Sequence, residues 1–142
     1  MKLHIITVGA PKLAYAKQGW EEYTKRLGHY HQLRISHIAD HKASAVALLQ
    51  AIGTAYSVAL CIEGTQMSSA ELSLFLQKQE LSAREVSFCI GGPEGLPEPV
   101  TTKADLQWSF GPLTYPHDLA MVMLSESLYR ASSITAGLPY HK

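Results

Sequence analysis

The residue types that can hold a small ligand and move a proton are concentrated between Gly91 and Lys142. Four runs carry them: Gly91-Gly92-Pro93-Glu94-Gly95, then Trp108-Ser109-Phe110-Gly111-Pro112-Leu113-Thr114-Tyr115-Pro116-His117, then Glu126-Ser127-Leu128-Tyr129-Arg130-Ala131, and a terminal Pro139-Tyr140-His141-Lys142. Glycine in the first run permits positive φ and close backbone approach to a ligand. Pro112 and Pro116 fix φ and restrict the residues before them, so the second run is a stiff loop. Two stiff loops side by side make a preorganised cleft. The first is neither a GxGxxG turn nor a P-loop, and no Lys or Arg lies between Glu85 and Thr102, which argues against a triphosphate. His117 opens a helix whose macrodipole disfavours a charged imidazole, so a neutral ring is expected. That ring can accept a proton or cap the turn. Glu126 and Arg130, spaced i,i+4, pair on one helix face and read as a structural pair ahead of direct chemistry. The tail ends in a phenol, an imidazole and an amine, where termini are usually bland.

These segments need a scaffold, and hydrophobic periodicity supplies one. Lys2 to Val8, Gln32 to Ile38, Tyr56 to Ile62, Glu85 to Ile90 and Leu106 to Phe110 read as strands. Leu13, Ala16, Trp20, Tyr23 and Leu27 mark one face of a helix that Gly28 stops. Ala43 to Ile52 is a second helix, ended by Gly53. Ser68 and Glu71 form a capping box that opens a third, running to about Glu80. A short helix is expected over Pro99 to Ala104. A longer one is expected from His117 to Ala136, with Gly137 at its C-cap. Strands alternating with helices predict an α/β fold, a mainly parallel sheet with helices on both faces. Residues 1–142 read as one domain.

Composition narrows the class. Of 142 residues 46% are hydrophobic and 17% charged, which excludes a disordered chain. Apolar runs are short and the N-terminus reads as a strand, so no membrane span or signal peptide is expected and the protein should be cytoplasmic. Cys61 and Cys89 lie in strand-like runs and read as reduced core thiols. There is no CxxC, and the histidine pairs His29/His31 and His37/His41 lack a further ligand, so no metal is expected. Net charge is zero with histidine neutral, mildly unfavourable for nucleic acid.

In combination, GGPEG, Trp108-Ser109, Leu113-Thr114 with Pro116-His117, the run from Glu126 to Ala131 and the terminal Pro-Tyr-His-Lys resemble the bacterial large-subunit (23S) ribosomal RNA pseudouridine N3-methyltransferase family, of the SPOUT class. Val8-Gly9 and the run from Glu22 to Gly28 extend the resemblance over the whole chain; residues 39–56 are shorter than in the family. The resemblance implies a C-terminal deep trefoil knot, a homodimer, S-adenosylmethionine bound in a bent pose, and methyl transfer to N3 of a pseudouridine on assembled ribosomes. Carried over by position, the cofactor would be held by Leu60, Gly91, Gly92, Gly111, Pro112, Leu113, Thr114, Tyr115 and Pro116. Tyr140 and His141 of the partner subunit would orient the base, with His117 a further catalytic candidate; Arg130 and Lys142 would bind RNA. One departure is Met121, where the family carries an arginine at a site lined by the dimer; Arg130, Lys142 or Lys103 would then compensate. Two rival readings follow. One is a non-catalytic ribosome-associated S-adenosylmethionine-binding factor, favoured by Met121. The other is a SPOUT methyltransferase acting on tRNA, disfavoured because 142 near-neutral residues with no appended RNA-binding domain offer little contact surface.

Overall fold

The computed structural model describes residues 1–142. In chain order the elements are β1 (Lys2–Val8), α1 (Ala14–Leu27), β2 (Gln32–Ile38), a 3₁₀ turn (Asp40–Lys42), α2 (Ala45–Ile52), β3 (Tyr56–Gln66), α3 (Ser69–Leu81), β4 (Val86–Ile90), α4 (Glu98–Lys103), β5 (Leu106–Ser109) and α5 (His117–Thr135). The five strands form one sheet in the order β2-β1-β4-β3-β5, and every pairing is parallel.

The strand period of two divides the core between the two faces of the sheet. Leu3 and Ile5 of β1 meet Trp20 and Leu27 of α1, Leu72 and Leu76 of α3, and Met121, Leu124 and Leu128 of α5. Ile6 and Val8 point the other way, to Leu48 and Ile52 of α2 and Val100 of α4. The result is a three-layer α/β fold with helices on both faces. Its strand order fits the knotted class that the resemblance implies.

Local signals set most boundaries. Ser68 accepts the Glu71 N–H while the Glu71 carboxylate accepts the Ser68 N–H, the reciprocal cap expected from sequence. The second helix starts at Ala45 rather than Ala43, because the Ser44 hydroxyl caps it by accepting the Ala47 N–H.

The larger difference is β3, which continues to Gln66 instead of ending at Ile62. Its register against β5 breaks, so that Leu60 and Thr65 both oppose Trp108. The residues between them form a bulge that redirects the strand. The bulge closes at Gly64, where a Cβ would lie 2.7 Å from the Gln107 carbonyl oxygen. Its polar sequence, Glu63-Gly64-Thr65-Gln66, carries no strand pattern, which is why periodicity stopped short of it.

Candidate active site

Because all five strands run the same way, β3, β4 and β5 deliver their following segments to one edge of the sheet, where open α/β folds bind ligands. A cavity of about 1000 Å³ lies there. Its wall includes Leu60, Gly91, Gly92, Gly111, Leu113, Thr114, Tyr115, Pro116 and His117. Pro112, the remaining position expected at the cofactor, is not part of the wall. The β3 bulge adds Cys61, Ile62 and Glu63, which the sequence reading missed. Cys61 is therefore a half-buried wall residue and not the core thiol expected of it; Cys89 is in the core.

The loops are tied together. The Ser109 hydroxyl donates to the Ile62 carbonyl (2.7 Å) and accepts the Gly111 N–H (3.0 Å), joining the β3 bulge to the β5 loop. Gly95 donates its N–H to the Gly92 carbonyl (2.9 Å), closing the glycine turn. Trp108 sits edge-on to both Phe88 and Phe110, with ring centroids 6.0 and 5.1 Å away, and braces the floor. Two of the glycines work differently from expectation. Neither Gly91 nor Gly92 has positive φ; Gly95 does, at 78°. A Cβ on Gly92 would face Asp40 and Val8 beneath the loop, each 3.2 Å away, rather than intrude on the cavity.

The charge pattern of the wall is one-sided. Glu63 and Glu94 contribute carboxylates, and no Lys or Arg lines it. Such a wall suits a cationic sulfonium and repels phosphate. S-adenosylmethionine therefore fits the residues present.

His117, the first residue of α5, borders the cavity with its side chain 15% exposed. Its Nδ1 lies 3.5 Å from Asp118 Oδ1, and its Nε2 is buried without a partner. Asp118 was not singled out from sequence, although an acidic residue in the first turn of a helix is a recognisable signal. Its other carboxylate oxygen accepts the backbone N–H groups of Lys12 (2.9 Å) and Leu13 (2.7 Å), fixing the entry to α1. Burial by itself would raise the Asp118 carboxyl, but those two bonds and His117 outweigh it and hold the group below the usual range. His37 on β2 bonds through Nδ1 to the Thr7 hydroxyl and packs beside Trp20. Burial, then the neighbouring His117, pushes the His37 imidazole down.

The tail lies elsewhere. Tyr140 packs edge-on to Tyr129 at 4.6 Å and donates its hydroxyl to Glu126 (3.0 Å). Arg130 pairs with Glu126 (2.7 Å), covers the Tyr140 ring at 4.8 Å and contacts His141 Nδ1 at 3.3 Å. Tyr23 and Arg26 of α1 complete the cluster around Tyr129. Burial, then bonds to Tyr23 and Glu126, raises the Tyr140 phenol well above its usual value, so it donates and does not act as a base. At 1.5 Å per residue, Arg130 stands about 20 Å along α5 from His117. Within one chain the tail and the cavity are thus separate places. Lys142 is exposed at the terminus. Lys103 lines a smaller cavity with Arg84 and Asp105, away from the loops. Met121 is fully buried in the core of the single chain and lines no part of the cavity.

The chain matches the family model described as a predicted SPOUT methyltransferase over residues 1–141. The chain belongs to the SPOUT methyltransferase family. A relative from Deinococcus radiodurans named ribosomal RNA large subunit methyltransferase H is 48% identical, with 100% of this chain and 99% of that protein covered. Proteins of the same name from Hahella chejuensis (36% identical, 100% of this chain and 99% of that one) and Streptococcus agalactiae (38%, 100% of both) also match. Among solved structures, a putative methylase family protein from Neisseria gonorrhoeae superposes with a TM-score of 0.61 at 12% identity, covering 90% of this chain and 81% of that one. That likeness shows the SPOUT fold. No helix of this SPOUT methyltransferase is long and apolar enough to cross a membrane, and no three His, Cys, Asp or Glu side chains are grouped to hold a metal.

Proposed function

We propose that this chain methylates N3 of a pseudouridine in large-subunit (23S) ribosomal RNA on assembled ribosomes, in the cytoplasm, as a homodimer with S-adenosylmethionine as donor. The observation that carries the reading is the cavity: stiff loops, carboxylates and no cation, at the sheet edge of a full-length relative of the large-subunit methyltransferases. Leu60, Gly91, Gly92, Gly111 and the run from Leu113 to Pro116 would hold the cofactor. When bound, it supplies a methyl group on a positively charged sulfur. The chain's own residues hold the base against that methyl and exclude water, so orientation provides much of the rate.

The tail enters through a second copy. Its distance from the cavity within one chain supports a composite site, in which one subunit contributes the loops and the partner contributes Arg130, Tyr140, His141 and Lys142. Arg130 and Lys142 offer cations to RNA phosphates. Tyr140 and His141 would orient the base.

The test is methyl transfer from labelled S-adenosylmethionine to unmodified large ribosomal particles, to naked rRNA and to tRNA, with the labelled nucleoside identified by mass spectrometry. Label in N3-methylpseudouridine from the particles is expected. Label in tRNA, or in another nucleoside, sinks the assignment.

A further inference from the structure

The cavity wall holds an imidazole with one nitrogen turned to a carboxylate and the other unused. We infer that His117 Nε2 takes the imide proton of the target base, and that Asp118 is the positioning residue that holds the ring and supports its charge. This rests on the reading above and adds to it the group that removes the proton.

Three observations converge. Nε2 of His117 is buried with no partner, an unmet need that a substrate N–H would satisfy. Asp118 is 7% exposed and cannot swing away, because Lys12 and Leu13 hold its second oxygen. The other candidates are spoken for: the Tyr140 phenol donates to Glu126, and His141 contacts Arg130 of its own chain.

The charges around the ring show why it needs the carboxylate. The α5 N-terminus opposes a cation there, as does His37 on the adjoining strand. Asp40 lies under Gly92, and Glu63 and Glu94 stand elsewhere in the cavity wall. The start of α1 presents the backbone N–H groups of Lys12 and Leu13, and these are used by Asp118. Asp118 is the carboxylate in contact.

In the step itself, the imide proton passes to Nε2. The nitrogen forms its bond to the methyl carbon as that carbon's bond to sulfur breaks, and the electron pair stays on sulfur.

Asp118→Asn tests the pairing, since an amide oxygen can still accept the Lys12 and Leu13 N–H groups and keep α1 anchored. Its kcat for methyl transfer should fall about tenfold or more while the KM for the ribosomal particles stays unchanged. His117→Gln should cut turnover at neutral pH about a hundredfold or more. In both variants S-adenosylmethionine affinity by calorimetry should stay within about threefold, well under 1.4 kcal/mol. Wild-type turnover in either variant overturns the inference. Loss of cofactor affinity in both would do the same, by assigning the pair to the cofactor loop. A wild-type protein that methylates no rRNA at all defeats the broader reading instead.

Discussion

At Gly91 a single added carbon decides the loop. A Cβ there would collide with the backbone of Gly95 and Leu96, which cannot yield as a side chain can. Gly91→Ala should therefore open the glycine turn and weaken S-adenosylmethionine binding more than tenfold, over about 1.4 kcal/mol. Gly92→Ala meets only the Asp40 and Val8 side chains and should be milder. Calorimetry on the two variants checks the order; equal affinities would place the loop's tight point elsewhere. His31 carries a second residue-scale expectation. Burial, then the N-terminal ammonium, pushes its imidazole down to about 4, while Nε2 stays bonded to the Ser132 hydroxyl at 2.7 Å. The unfolded chain titrates there near 6.5. Between those values the unfolded state binds the extra proton, so the contribution is full above about pH 6.5 and is lost as pH falls to about 4. His4 is lowered by burial in the same direction. The melting temperature should fall across that window, and His31→Gln should flatten the fall.

The helix α5 joins two sites that sequence treats as one run of motifs. Its first turn borders the cavity and its last turns carry the docked tail. A terminal triplet looks dispensable for stability on sequence, yet Tyr140 is packed on Tyr129 and bonded to Glu126. Removing Tyr140 to Lys142 should cost about 1–3 kcal/mol, from the aromatic pair and the hydroxyl bond, and Tyr140→Phe about 1 kcal/mol. An unchanged melting temperature in the truncated protein would show that the tail does not dock on its own helix. The same contrast marks what was legible. Every strand and every helix of more than one turn could be read from alternation, i,i+4 spacing and caps such as Ser68 with Glu71. The glycine and proline loops announced the cavity because rigid irregular backbone has a compositional signature. The β3 bulge did not, since its polar residues follow β5 and not a period of their own. Asp118 was missed for a related reason: its partners, Lys12 and Leu13, are more than a hundred positions away. The direction of the Gly92 Cβ, and the fate of Met121, depend on neighbours from other elements and could not be seen in one segment.

The exposed side of the molecule still has an unmatched stripe. Leu119, Met123, Glu126 and Arg130 recur along one face of α5 and are only half-buried. A two-fold partner would cover the apolar half and bring the charged half, with its tail, toward the facing cavity. Sedimentation at micromolar concentration should give the mass of two chains, and Met123→Glu should give one, with methyl transfer lost and cofactor affinity retained. A wild-type monomer under those conditions would count against the composite site. The all-parallel sheet has a consequence for how the molecule is made. No strand can pair through a hairpin, and α1 is anchored by Asp118 and joined through His31 to Ser132, residues near the other end of the chain. During synthesis the first helix must wait, uncovered, until almost the last residue has emerged. Folding is then a slow, late event on the millisecond-to-second scale, and a nascent chain cut short before α5 presents bare core to the cell's proteases.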